Sequence, residues 1–185
     1  YPICYTSPYH SYLLPMSDPT IIPSQNEHKR PTWDEYFMEI AETVAHRATC
    51  DRGKCGSVIV LDKVILATGY VGSAAGMPHC DEVGHQMKTV THEDGTQSQH
   101  CVRTTHAEQN AIVQAARKGT AIGGATIYTK MTPCSACGRM IVNAGIKRVV
   151  CNKRYHAGGE TEAMFLQLGI EMLYLDGSLE QYKNQ

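Results

Sequence analysis

A chain of 185 residues suffices for one domain with its own hydrophobic core and needs no disulfides to hold it. Its 17 Lys and Arg stand against 18 Asp and Glu, a formal net charge of −1, so no whole-chain basic field exists to hold a polyanion, which argues against nucleic acid as the main partner. Eight cysteines and nine histidines, without a long apolar run or a signal-peptide pattern, suggest an intracellular protein whose cysteines are metal ligands, catalytic groups or buried small hydrophobes.

The chain begins at Tyr1 rather than Met, as a fragment or a trimmed product would. Residues 1–30 carry five of the eight prolines and no helical or alternating period, which predicts an extended or disordered arm ahead of a domain at 31–185. In "RPTWDEYFMEIAETVAHRAT", Thr32 and Glu35 have capping-box spacing, and Phe37, Ile40, Ala41, Val44 and Ala48 recur on one helical face. Next, "CGSVIVLD" and "KVILATGY" read as a hairpin turning at Asp62-Lys63. From Val71 to Gln99 no period survives, and a loop of that length in a compact domain is usually functional or held by something other than a core.

A helix is predicted over "THAEQNAIVQAARK", closed by Gly119, and a strand at "ATIYT". A further helix over "TPCSACGRMIVNAG" has Pro133 near its first position and Gly145 past its end. The strand "KRVVC", the helix "ETEAMFLQLG" and the strand "IEMLYL" complete the order α-β-β-α-β-α-β-α-β. Strand-helix-strand repeats favour parallel neighbours, so the expectation is an α/β fold, a five-stranded mixed sheet with helices on both faces. Met38, Met140, Met164 and Met172 fall within periodic elements and read as core, while Cys4, Cys55 and Cys151 read as structural.

Two motifs open successive helices. His106-Ala107-Glu108 begins one, and Pro133-Cys134-Ser135-Ala136-Cys137 begins the next. The i, i+3 spacing puts Cys134 and Cys137 on one side of a first turn, where the helix dipole favours thiolates. With His106 they offer a His-Cys-Cys set of the type zinc prefers, and three protein ligands leave a fourth position for water, as in catalytic rather than structural sites. Two thiolates offset the metal charge, so a nearby base is useful, and Glu108 is the candidate for moving the proton of that water. The bland alternative is that Thr105 and Glu108 form a capping box and Cys134 and Cys137 a structural or redox pair. Taken together, the motifs match the H-x-E…P-C-x-x-C pattern of zinc deaminases.

On "WDEYFMEIA", "GSVIVLDKVILATGY", "HCVRTTHAEQNAI", "TPCSACGRMIVNAGIKRVV" and Tyr155-His156, the chain resembles the cytidine deaminase superfamily and, within it, the deoxycytidylate (dCMP) deaminases, from about Trp33 to Leu175. The resemblance implies the three-layer fold of that superfamily and zinc-dependent hydrolysis of dCMP to dUMP and ammonia, with Glu108 moving the proton and backbone near Ala107 and Thr132 holding the base. It also implies a hexamer, activation by dCTP and inhibition by dTTP with Mg2+, in the cytoplasm of a bacterial or phage-infected cell. Arg47 occupies the place of an arginine in relatives and, with Arg139 and Tyr155, is a candidate for the substrate phosphate, His156 being a further possibility. Relatives read Gly-Tyr-Asn-Gly where this chain has Gly69-Tyr70-Val71-Gly72, so a side-chain donor to the sugar or a bound nucleotide is missing.

The long loop and the end of the first helix are rich in soft ligands. Cys50, Cys80, His85 and His100, with Cys101 as a substitute, are the expected ligands of a second, structural zinc, which would hold the period-less segment by metal binding. Some phage relatives carry such a zinc on cysteines that match Cys50 and Cys80. Two other readings share the motifs: a tRNA adenosine or other nucleobase deaminase, disfavoured by the lack of basic charge, and a non-catalytic nucleotide-binding protein of the same fold, disfavoured by the intact Glu108.

Overall fold

The computed structural model describes residues 29–91, 95 and 97–180. The arm expected over 1–30 lies, except for Lys29 and Arg30, outside them. Helix α1 (Trp33–Ala45) opens on the expected capping box: the Glu35 N–H donates to Thr32 Oγ1 at 3.2 Å, and the Thr32 N–H donates to Glu35 Oε2 at 2.7 Å. Strands β1 (Gly56–Leu61) and β2 (Val64–Tyr70) form the hairpin, whose turn residues Asp62 and Lys63 both take positive φ, 50° and 65°. That conformation matches the right-handed twist of the paired strands.

The five-stranded sheet is completed by β7 (Thr126–Met131), β8 (Arg148–Lys153) and β9 (Glu171–Tyr174), in the order β2-β1-β7-β8-β9. Strand β1 runs antiparallel to both neighbours, whereas β7, β8 and β9 are parallel, each pair joined through a helix. Side chains alternate across the sheet as the pleat requires. Val58, Val60, Tyr128 and Val150 pack with Phe37, Met38 and Ala41 of α1 on one face. Ile59, Ile127, Val149 and Cys151 pack on the other with α3 (Ala107–Lys118), α4 (Ser135–Asn143) and α5 (Gly159–Gln167). Asp34 pins α1 to the sheet by accepting two hydrogen bonds from Arg148, at 2.7 and 2.9 Å, and one from Tyr128 at 2.9 Å.

Val71 to Gln99 departs from the expected loop. It contains β3 (Gly72–Ser73), which pairs with β6 (Thr104–Thr105), a short helix α2 (Cys80–Val83), and a hairpin of β4 (Met87–Thr91) with β5 (Gln97–Cys101) outside the main sheet. Every β4 side chain is exposed, so no face is buried, and the alternation that betrays a strand never arises. The helix expected to start near Pro133 begins after it, because Cys134 is its N-cap.

Two glycines set how closely helices approach the sheet. A Cβ at Gly56 would lie 2.2 Å from the Ala41 carbonyl oxygen of α1, and one at Gly69 would lie 2.3 Å from the Ala107 carbonyl oxygen and the Ala111 nitrogen of α3. The obstacles are backbone and cannot rotate away. Gly69→Ala is therefore expected to lower stability by about 2–3 kcal/mol, by pushing α3 off the sheet, read as a reduced urea midpoint at unchanged slope; an unchanged midpoint would contradict this packing.

Candidate active site

The first turn of α3 lies on β2 because Gly69 has no side chain, and the Asn110 side-chain amide donates to the Tyr70 carbonyl at 2.8 Å. His106 is the N-cap residue, in extended conformation, and its N–H donates to Gln109 Oε1 at 3.1 Å. Gln109, not Glu108, thus serves as the cap. Glu108 turns inward: it is 6 % exposed, Thr129 Oγ1 of β7 donates to its Oε1 at 3.2 Å, and Ser57 of β1 donates to Thr129 at 3.1 Å. The bland capping reading of the motif is replaced by a carboxyl group buried against the sheet.

Cys134 and Cys137 reach the same point from α4. His106 Nδ1 lies 3.5 Å from Cys134 Sγ and 3.3 Å from Cys137 Sγ, and a ligand atom of each of the three lies within 4.8 Å of the others. Cys137 Sγ is also 3.7 Å from Glu108 Oε2. Without a metal the two thiols do not ionise alike, in contrast to the expectation from the helix dipole. The hydrogen bond from Cys137, aided by His106, holds the Cys134 thiol at a pKa of about 3, while the same bond and burial push Cys137 far upward. Cys134 raises His106 to about 9. Two sulfurs and an imidazole competing for so few protons suit a divalent cation of intermediate softness, and the donor set fits zinc with one tetrahedral position left. Burial also raises Glu108, against the pull of His106.

Above the triad opens a cavity of about 260 Å³ lined by His106, Glu108 and Cys134 and by Val71, Thr132 and Tyr155. Thr132 Oγ1 is fixed by the Tyr174 hydroxyl at 2.9 Å and by the Tyr155 N–H at 3.1 Å. Of the phosphate candidates, Tyr155 lines this cavity, whereas Arg47 and Arg139 are exposed and do not. His156 is exposed too, its ring 4.4 Å from that of Tyr155. The arginine in the wall is Arg52, from a single 3-10 turn at Asp51–Gly53, and its Nη2 donates to the Gln99 carbonyl at 3.2 Å. Sequence reasoning passed it over; its place between Cys50 and Cys55, both of which also line the cavity, was the available signal.

A second group forms next to Val71. Cys50, Cys80, His85 and Cys101 bring one ligand atom each within 4.8 Å of one another. Cys50 Sγ is 3.6 Å from His85 Nδ1, and Cys80 Sγ is 3.6 Å from Cys101 Sγ. The other nitrogen of His85 lies 2.9 Å from Asp51 Oδ1, the carboxylate-histidine arrangement that fixes a metal-facing tautomer. His100, expected in this group, stands outside it, and Cys101 takes its place. Successive residues of β5 point to opposite faces, so the two neighbours cannot both face Cys80. His100 lines the cavity, as do Cys50 and Cys101.

The family model for the cytidine and deoxycytidylate deaminase zinc-binding region matches residues 31–153. ComE operon protein 2 of Bacillus subtilis is 38 % identical over 85 % of this chain and 79 % of its own length. The deoxycytidylate deaminase of Mycobacterium phage D29 is 38 % identical over 67 % of this chain and 97 % of its own. Among solved structures, the dCMP deaminase of cyanophage S-TIM5 in complex with dCMP and dUMP superposes with a TM-score of 0.64 at 30 % identity, covering 80 % of this chain and 100 % of that one. With the sheet order and the triad, these matches place the chain in the cytidine and deoxycytidylate deaminase family. Within it the chain groups with the zinc-dependent deoxycytidylate deaminases, as an enzyme. Among the described residues no helix is long and apolar enough to cross a membrane.

Burial of Glu108 carries a cost that depends on pH. Below about 4.5, its ordinary value, the carboxyl is protonated folded or unfolded and costs nothing extra; above it the unfolded chain ionises while the folded chain must keep the proton, so stability falls as pH rises toward the raised value. In protein stripped of metal by a chelator, Glu108→Gln is expected to match the parent near pH 4.5 and to exceed it increasingly toward pH 7.5 in urea denaturation. Equal stability at both pH values would show that Glu108 is not held in a desolvated site.

Proposed function

We propose that the protein hydrolyses dCMP to dUMP and ammonia, with zinc held by His106, Cys134 and Cys137. The observation that carries this reading is the buried carboxyl of Glu108 beside a three-donor group opening on a nucleoside-sized cavity. A zinc ion held there would supply Lewis acidity, making the attacking water easier to deprotonate at neutral pH. Glu108 accepts the water proton as oxygen attacks C4 of the cytosine, passes a proton to N3, and a further proton leaves with the C4 amino group as ammonia. A carboxyl whose pKa is raised by burial suits both directions of that transfer. The bond from Thr129 holds the carboxyl in place at the floor of the cavity beside the three donors.

The reading extends to a cytoplasmic homo-oligomer, a hexamer, activated by dCTP and inhibited by dTTP with Mg2+, as the resemblance implies. It includes a second, structural zinc, on Cys50, Cys80, His85 and Cys101, supported by the convergence of their donor atoms and by Asp51 behind His85. Val71, where relatives place an asparagine, is buried beside Cys50 and Cys80 and lines the cavity, so any contact to the sugar there comes from another residue.

Turnover of dCMP, dCTP, deoxycytidine and CMP, followed by the absorbance change on loss of the amino group, tests the assignment. Preferential turnover of dCMP, answering to added dCTP and dTTP, is expected, with kcat falling about 10²- to 10⁴-fold in Glu108→Gln; no turnover of any of the four by the zinc-loaded parent would refute it. For the second metal, elemental analysis should give two zinc ions per chain in the parent and in His100→Asn, and one in Cys101→Ser. Retention of both by Cys101→Ser would remove Cys101 from the ligand set.

A further inference from the structure

We infer that Tyr174 is a positioning residue: through an ordered chain of hydrogen bonds it holds together the two segments, at Thr132 and at Tyr155, that form one wall of the cavity. The inference deepens the proposed reaction and rests on it, since that wall meets whatever the cavity holds. Thr132 and Tyr155 line the cavity, and Tyr174, behind them, acts through Thr132.

The two segments arrive from different strands. Thr132 follows β7 and leads into Pro133 and Cys134, and Tyr155 follows β8. The Thr132 N–H donates to the Lys153 carbonyl at 3.1 Å, and beyond that rung the segments meet at Thr132 Oγ1, which accepts from the Tyr155 N–H at 3.1 Å and lies 2.9 Å from the Tyr174 hydroxyl. Counting protons sets the direction of each bond. The phenol has one proton to give, and the Glu162 carboxylate at 2.6 Å takes it in preference to the Met172 sulfur at 3.6 Å. Burial and that carboxylate both hold the proton on Tyr174. Thr132 must then donate its own proton to the phenol oxygen, which leaves Oγ1 free to accept from Tyr155. Every bond from Tyr155 through Thr132 and Tyr174 to Glu162 thus runs one way, the arrangement in which hydrogen bonds reinforce each other. The far end is anchored on α5: Arg154 Nη1 donates to both oxygens of Glu162, at 3.1 and 3.2 Å, and its guanidinium lies 4.3 Å from the centre of the Tyr174 ring. Thr132 is only 1 % exposed, so its hydroxyl has little water to turn to if the phenol oxygen is removed. Glu108 is held separately, by Thr129, so the chain orders the wall and not the reacting carboxyl.

Tyr174→Phe removes the hydroxyl and keeps the ring. In zinc-loaded protein it is expected to raise KM for dCMP about 3- to 10-fold, with kcat within about twofold of the parent and the zinc content unchanged. Amide exchange at Tyr155 should quicken by a similar factor, while the His106 amide, which donates to Gln109, exchanges as before. Thr132→Val should act in the same direction, and the double variant should be no worse than Thr132→Val alone, because both break one chain. Glu162→Gln keeps an acceptor for the phenol and should stay within about twofold of the parent, whereas Glu162→Leu should resemble Tyr174→Phe. An unchanged KM or an unchanged Tyr155 exchange rate in Tyr174→Phe, additive losses in the double variant, or a fall in kcat or zinc in parallel with the rise in KM would overturn the inference. Faster exchange at Tyr155 in Tyr174→Phe, in a protein whose parent leaves dCMP untouched, would instead refute the reaction and leave the chain of bonds standing.

Discussion

The site depends on how closely the backbone of α3 can approach β2. Contact at that distance, allowed by the missing side chain of Gly69, seats the first turn of α3 on the sheet. Once there, Glu108 is buried beneath the hydroxyl of Thr129 at the floor of the cavity, while His106 is left at the rim, facing the two cysteines of α4. A helix riding higher by the thickness of a methyl group would give Glu108 back to water and separate it from Thr129. The chemistry of the triad therefore rests on a packing constraint one layer below it.

The electrostatics of the two ligand groups follow from the same economy of space. In each, several thiols crowd without enough positive charge nearby, so they shift apart in pKa instead of ionising together: Cys134 falls to about 3, and Cys80 is pushed up to about 12, chiefly by burial. Such clusters are poorly matched to a metal-free protein and well matched to a divalent cation. Where the groups differ is in completeness. The first gathers three donors with a carboxyl alongside, the second gathers four with a carboxylate beside its histidine.

Much of this could be read from residue order. The capping box of α1, the hairpin at Asp62-Lys63, the parallel strand-helix repeats and the His-x-Glu with Cys-x-x-Cys pair all express local rules, and local rules survive in sequence. What escaped depended on three-dimensional company. Strand β4 buries no side chain, so it leaves no alternation. Whether His100 or Cys101 points to Cys80 turns on the phase of a strand whose existence was itself invisible. Arg52 and Arg47 look alike in the sequence, and the 3-10 turn that brings one of them to the cavity spans only three residues.

The path of the chain between β2 and β7 has an evolutionary consequence. Strand β1 pairs with β2 on one side and with β7 on the other, so the chain leaves the sheet after Tyr70 and rejoins it at Thr126, with only β1 between. Much of the stretch from Gly72 to Thr105 is an excursion from the main sheet, and its hairpin pairs with no strand of that sheet. Insertions and deletions there can reshape one wall of the cavity while the reacting groups, seated on the sheet and on α3 and α4, keep their positions. The catalytic apparatus and the selection of what it acts on are thus free to diversify at different rates.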